Sequence, residues 1–141
     1  MLVYTNTQGL ATTTVFPAGA LATTTTVAYL PLSDLPSDGL SFALVPNLVL
    51  SRPATVTVSY RDEDVAGMDE AQLRFYNYDW SSRAWVDANP CGGYVRDPEG
   101  NRLTARVCHF SDHGLMDWAY KVYLPLGARA KAKTLRVFPY P

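Results

Sequence analysis

The 141-residue sequence predicts an all-β protein, a single antiparallel β-sandwich. Two observations predict it. Short runs rich in Val, Thr, Tyr and Phe recur along the chain, separated by clusters of Pro, Gly, Asp, Asn and Ser. Helical periodicity extends over no useful length. The apolar fraction is 48% and the charged fraction 18%, so one domain can bury a real core and the chain is not disordered.

The first run, Thr12-Thr13-Thr14-Val15-Phe16, is β-branched and aromatic and stops at Pro17-Ala18-Gly19-Ala20. Thr23 to Leu30 reads as a second strand, and Pro31 to Gly39 as a loop. Leu40 to Leu50 is apolar but broken by Pro46-Asn47, which predicts two short strands around a bend. Ala54 to Tyr60 alternates: Val56, Val58 and Tyr60 on one face, Thr55, Thr57 and Ser59 on the other. Gly67 to Gln72 has room for one helical turn. Leu73–Tyr78 and Ala84–Val86 flank Asp79-Trp80-Ser81-Ser82-Arg83, a hairpin signal. Tyr94-Val95-Arg96 and Leu103 to Val107 flank the turn cluster Asp97-Pro98-Glu99-Gly100-Asn101. Lys121 to Leu126 is a further edge strand, and Pro139 and Pro141 argue against regular structure at the end. The sandwich is expected over residues 9–118, followed by a basic, irregular tail over 119–141.

Charge is unevenly spread. Residues through Asp117 hold all thirteen acidic groups against seven basic ones, a net of −6, while Lys121, Arg129, Lys131, Lys133 and Arg136 make the tail +5. An acidic body argues against a nucleic-acid surface. No stretch is long enough to span a membrane as a helix. Residues 1–7 have neither a basic nor an apolar leader region, so the chain reads as cytosolic or as a piece of a longer secreted protein.

The cysteines favour the second reading. A hairpin folded about residues 99 and 100 sets Cys91 opposite Cys108, at a Cβ separation of ~4.5–5.5 Å that nearly suits a disulfide. A Cys91–Cys108 disulfide fits an oxidising compartment and a secreted or cell-surface location; the alternative is two free thiols. Two Cys and two His in this order lack zinc-finger spacing, and no cofactor is implied.

The run His109-Phe110-Ser111 carries the one catalytic hypothesis. If the strand stays extended, Val107, His109 and Ser111 share a face, with Cys108 and Phe110 opposite. A neutral His109 could take the Ser111 hydroxyl proton, and Ser111 Oγ could attack the Phe110 carbonyl. The bland reading is that His109 and Ser111 fasten a strand end and Phe110 packs. Asp62, Asp64, Asp69 and Glu70 form an acidic cluster that weakly suggests calcium; without EF-hand spacing, it also reads as a solvated loop capping one helical turn. Trp80, in a turn, and Tyr78 could stack on sugar rings or dock a partner, while about half of the hairpin aromatics (Tyr76, Tyr78, Trp80, Trp85 and Tyr94) fill the core.

Val15-Phe16-Pro17-Ala18-Gly19-Ala20-Leu21 resembles the signature that opens ZU5 domains. Pro53 to Val58, Asp62 to Glu70, Leu73 to Tyr76 and Trp85 to Ala88 are similar to bacterial ZU5-like modules of secreted multidomain proteins. The resemblance runs from about Gly9 to Trp118. It implies a β-sandwich that mediates contacts with protein partners or neighbouring domains, as a non-catalytic interaction or spacer unit. Some ZU5 members and the related FIIND modules cleave themselves between Phe and Ser of a His-Phe-Ser or Ser-Phe-Ser sequence, which carries over to Phe110–Ser111. Self-cleaving members usually continue into a second β domain, and the FIIND modules are helped by a His on a different strand; here the other histidine is His113, two residues beyond the serine. A glycan-binding module is the third expectation.

Overall fold

Ten strands form two antiparallel five-stranded sheets in the computed structural model, which describes residues 1–31, 41–88, 91–110 and 112–116, with Trp85 and 112–116 described by backbone alone. The strands are β1 (Leu2–Thr5), β2 (Ala11–Val15), β3 (Ala28–Pro31), β4 (Ser41–Val45), β5 (Val49–Ser59), β6 (Arg74–Asp79), β7 (Ala84–Asp87), β8 (Tyr94–Asp97), β9 (Arg102–His109) and β10 (Asp112–Met116). The first sheet has the order β1-β2-β5-β9-β8, the second β3-β4-β10-β6-β7. The expected all-β sandwich is what forms, and among the described residues the only helical pieces are 3-10 turns at Asp62–Val65 and Glu70–Gln72.

Register follows from the two-residue side-chain period. Across the first sheet, Leu2, Thr14, Val56, Ala105 and Tyr94 align in one row that faces the second sheet. The next row, Val3, Thr13, Thr57, Thr104 and Val95, faces away. In that outer row the Thr57 and Thr104 hydroxyls share a 2.9 Å hydrogen bond across β5 and β9.

Val56, Val58, Leu103, Ala105 and Val107 from the first sheet meet Phe42, Leu44 and Phe75 from the second in one buried cluster. Each large side chain buried there contributes ~1.5–3 kcal/mol relative to exposure. A continuous aromatic row threads the layer. Tyr4 stacks on Tyr29 (4.3 Å between ring centroids) and Tyr29 on Phe42 (5.0 Å). Phe42 meets Phe75 edge-on at 6.3 Å, and Phe75 meets Tyr94 edge-on at 6.1 Å. The row leaves the first sheet at β1, crosses the second through β3, β4 and β6, and returns at β8.

Tyr94 also fastens that end by hydrogen bonds. Its hydroxyl accepts from Phe75 N at 2.9 Å and donates to Phe75 O at 3.3 Å. Burial pushes the phenol up to about 12. Arg96 lies over the Tyr94 ring, 4.9 Å from its centroid, and donates from Nε to Leu73 O at 3.0 Å.

Several elements differ from the sequence expectation. The sandwich begins at Leu2 rather than at about residue 9, because β1 pairs along β2. Of the expected Thr23–Leu30 strand only Ala28–Leu30 joins a ladder, and β3 runs one residue further, to Pro31 of the expected loop; Thr25 Oγ1 bonds Thr23 O locally instead. The bend at Pro46-Asn47 is present, but the strand after it runs unbroken from Val49 to Ser59. Pro53 is tolerated inside it because the β5–β9 register shifts between Val49 and Ala54, where a proline needs no ladder partner. Phe75 and Tyr76 occupy opposite faces as expected, yet both are buried, as are Tyr78, Ser41 and Ala43, so the middle of the second sheet is buried on both faces while Leu30 at its edge is exposed. The expected strand at 121–126 and the basic tail over 119–141 lie outside the described residues.

Replacing Phe75 with Ala is expected to cost ~3–5 kcal/mol in urea unfolding, through loss of packing at the centre of the aromatic row. Tyr94→Phe, which keeps the ring and removes both hydrogen bonds to Phe75, is expected to cost ~1–2 kcal/mol.

Candidate functional site

His109 and Phe110 sit where the chain leaves the first sheet. β9 ends at His109 in the first sheet, and β10 begins at Asp112 in the second, so the chain changes layers between them. β10 then runs between β4 and β6, with His113 in register with Phe42 and Asn77. Strand alternation therefore stops at His109. Phe110, expected opposite His109, turns into the core instead: it is 2% exposed and meets Phe16 edge-on at 5.8 Å. Its N–H donates to Leu48 O at 2.9 Å, which secures the corner to β5's entry. Ser111, the expected nucleophile, lies outside the described residues.

His109 reaches across the layers. Its Nε2 lies 2.9 Å from Nδ2 of Asn77, on β6 of the opposite sheet. Asn77 Oδ1 is buried and has no hydrogen-bond partner among the described residues. Sequence reasoning did not single out Asn77, although a signal existed. By alternation it shares a face with Phe75, and a polar residue on a core face must bond to something.

The expected disulfide is present. Cys91 and Cys108 are bonded, with Cα atoms 6.1 Å apart. The β8–β9 hairpin pairs Asp97 with Arg102 and Tyr94 with Ala105, and the same register carried outward sets Cys91 opposite Cys108. Asp97 organises the turn: it accepts from Gly100 N at 2.9 Å and from Arg102 Nη2 at 2.7 Å, and these bonds hold its carboxyl below the usual range. Gly93, at φ +76°, lets the chain turn from Cys91 into β8. The bridge lies on the outer face of the first sheet, since Cys108 alternates with the core-facing Val107.

At the β6–β7 hairpin, Trp80 is 61% exposed and sits edge-on to Tyr78 at 4.6 Å. Tyr78 is itself buried, so Trp80 is the one of the pair that presents a large surface to solvent. Asp79 shapes the loop, accepting from Ser81 Oγ and Ser82 Oγ, each at 2.6 Å, and from Ser81 N at 2.9 Å. These bonds, the Ser81 hydroxyl first among them, hold the carboxyl down at about 2.

The acidic cluster is engaged by protein donors. Asp64 accepts from Arg61 N, Nε and Nη2 at 2.9, 3.1 and 2.7 Å. Asp62 accepts from Asn101 Nδ2 at 2.9 Å, Asp69 from Ala71 N at 3.0 Å, and Glu70 from the Tyr60 hydroxyl at 2.9 Å. Burial, reinforced by Glu70, pushes the Tyr60 phenol up. Calcium takes 6–8 oxygen ligands around one point; here the four carboxylates sit at two 3-10 turns and accept from four different residues, Arg61, Asn101, Ala71 and Tyr60. Among the described residues, no three His, Cys, Asp or Glu side chains group as a metal site requires.

No family model matches this chain, and neither a curated protein nor a solved structure matches it.

Two outcomes follow from this geometry. The disulfide closes a loop with a sequence separation of 17, so its reduction is expected to lower stability by ~3 kcal/mol on the chain-entropy account, read as a lower urea midpoint with reductant present. Asp79 has a lowered folded-state pKa, so its stabilising contribution is complete above the unfolded value of about 4 and is lost as pH falls from there toward about 2. An NMR carboxyl titration of Asp79 checks the shift, which Ser81→Ala should reduce.

Proposed function

We propose that this chain is a non-catalytic β-sandwich module of an extracellular protein, acting as an interaction or spacer unit beside other domains or protein partners. The observation that carries the reading is the Cys91–Cys108 disulfide on the outer face of the first sheet. Such bonds persist in oxidising compartments and stabilise small secreted domains. The engagement of candidate reactive groups supports the same reading. Asp62, Asp64, Asp69 and Glu70 hold turns together, and His109 holds one sheet to the other. The likeness of Val15 to Leu21 to the opening of bacterial ZU5-like modules supports contacts with proteins as the task. Trp80, exposed at a hairpin tip, is the side chain assigned to such a contact.

Intact mass under denaturing conditions, after prolonged incubation of the purified chain, tests the reading. The expected result is a single 141-residue species lighter than the reduced chain by two hydrogens. Fragments of 110 and 31 residues, abolished by Ser111→Ala, would replace it with self-processing at Phe110–Ser111. In that reaction Ser111 Oγ gives its proton to a base and bonds the Phe110 carbonyl carbon. The C–N bond breaks to leave an ester and a free Ser111 amine, and water then splits the ester. Polysaccharide binding by the wild type that disappears in Trp80→Ala would instead identify a glycan-binding module.

A further inference from the structure

We propose that the chain associates with a second copy of itself through the outer face of the first sheet, the two faces packed about a two-fold axis that runs along β5. The second sheet is buried on both faces at its middle, but no residue that points outward from the first sheet is buried. The central row of this open face, Val3, Thr13, Thr57, Thr104 and Val95, carries no charge. Its apolar ends are open, Val3 at 49% exposure and Val95 at 68%, and Val15 in the adjacent row is 45% exposed. Apolar side chains gathered on one face in this way mark a contact surface. At the centre, the Thr57 and Thr104 hydroxyls bond each other at 2.9 Å, which meets part of the hydrogen-bond demand that dehydration of the face would otherwise leave open.

The register identifies the occupant. An isologous contact needs a surface complementary to itself, and the central row reads the same from either end. Turned about an axis along β5, Thr57 meets Thr57 of the second copy, Thr13 meets Thr104, and Val3 meets Val95. The flanking rows follow the same operation without bringing like charges together. Arg102 comes over Ala11 of the second copy and Arg106 over Val15, so the aliphatic stems of the arginines cover apolar side chains. Asp97, already paired with Arg102, comes over the hydroxyl of Thr5. A two-fold axis across the strands would instead set Arg102 against Arg106, so charge selects the axis along β5. Five strands ~4.8 Å apart and about six residues of paired length give a face of roughly 24 by 20 Å, near 480 Å² per copy. The total of about 1,000 Å² lies at the lower limit for a specific interface, which sets the expectation of a weak, concentration-dependent dimer.

The test is sedimentation equilibrium of the oxidised chain from ~10 µM to ~1 mM, a range suited to an interface of this size. The wild type is expected to rise from monomer toward dimer. Thr57→Lys sets two ammonium groups against each other on the axis and is expected to weaken association at least tenfold. Val95→Asp is expected to weaken it as well, and adding Val3→Lys is expected to restore it, because position 95 of one copy meets position 3 of the other. Within one copy these positions lie on opposite edge strands, four spacings or ~19 Å apart, too far to pair. Trp80→Ala, on a hairpin of the second sheet, is expected to leave association unchanged. A wild type that stays monomeric at ~1 mM overturns the proposal whether or not the variants fold. Association that survives Thr57→Lys, that is lost in Trp80→Ala, or that Val3→Lys fails to restore overturns it too. The inference does not rest on the non-catalytic reading, which intact mass tests, so an uncut monomer sinks this proposal alone.

Discussion

The row Tyr4–Tyr29–Phe42–Phe75–Tyr94 is the interaction on which the sandwich depends. Two twisted sheets need a shared dry layer to stay in register with each other. Here five rings supply it from one edge of the first sheet to the other, passing through three strands of the second. Aromatic pairs add ~0.5–1.5 kcal/mol beyond the area they bury, and the Tyr94 hydroxyl converts the last contact into a directional one by bonding both Phe75 N and Phe75 O. Phe75 is therefore fixed from its ring and from its backbone, and β6 with it.

That anchoring shapes what surrounds the corner at Phe110. β6 carries both Phe75 and Asn77 on the face toward the first sheet, so the row that places one ring also sets the amide opposite His109. On the other side of β9, the ladder that aligns Leu103, Ala105 and Val107 with the core turns Cys108 outward to meet Cys91. One strand thus presents a disulfide on its outer face and a histidine at its inner end. Both follow from a single alternation, and both tie β9 to something else: the disulfide to its hairpin partner, the histidine to the other sheet.

Polar groups elsewhere serve local geometry. Asp79 organises the Trp80 loop, Asp97 the β8–β9 turn, and Asp62, Asp64, Asp69 and Glu70 the two 3-10 turns. A carboxylate held by donors of its own turn is poorly placed to converge with others on a cation. Trp80 stands apart from this pattern as a large, exposed side chain on a loop that is itself well tied.

Much of this was legible in the residues alone. Period-two alternation identified the core faces of β5 and β9, and turn chemistry at 97–101 set the hairpin register that pairs Cys91 with Cys108. Both are local: side chains i and i+2 share a face, and a turn fixes its own two strands. The layer change at Phe110, the central place of β10 and the meeting of Asn77 with His109 were decided only by the tertiary structure. β10 begins Asp112-His113-Gly114, which has no strand signature, and becomes a strand because β4 and β6 offer it hydrogen-bonding partners on both sides. Asn77 and His109 are 32 positions apart on different sheets. No periodicity within either strand encodes which residue of the opposite layer it will face; that contact exists only once the aromatic row has set one sheet against the other.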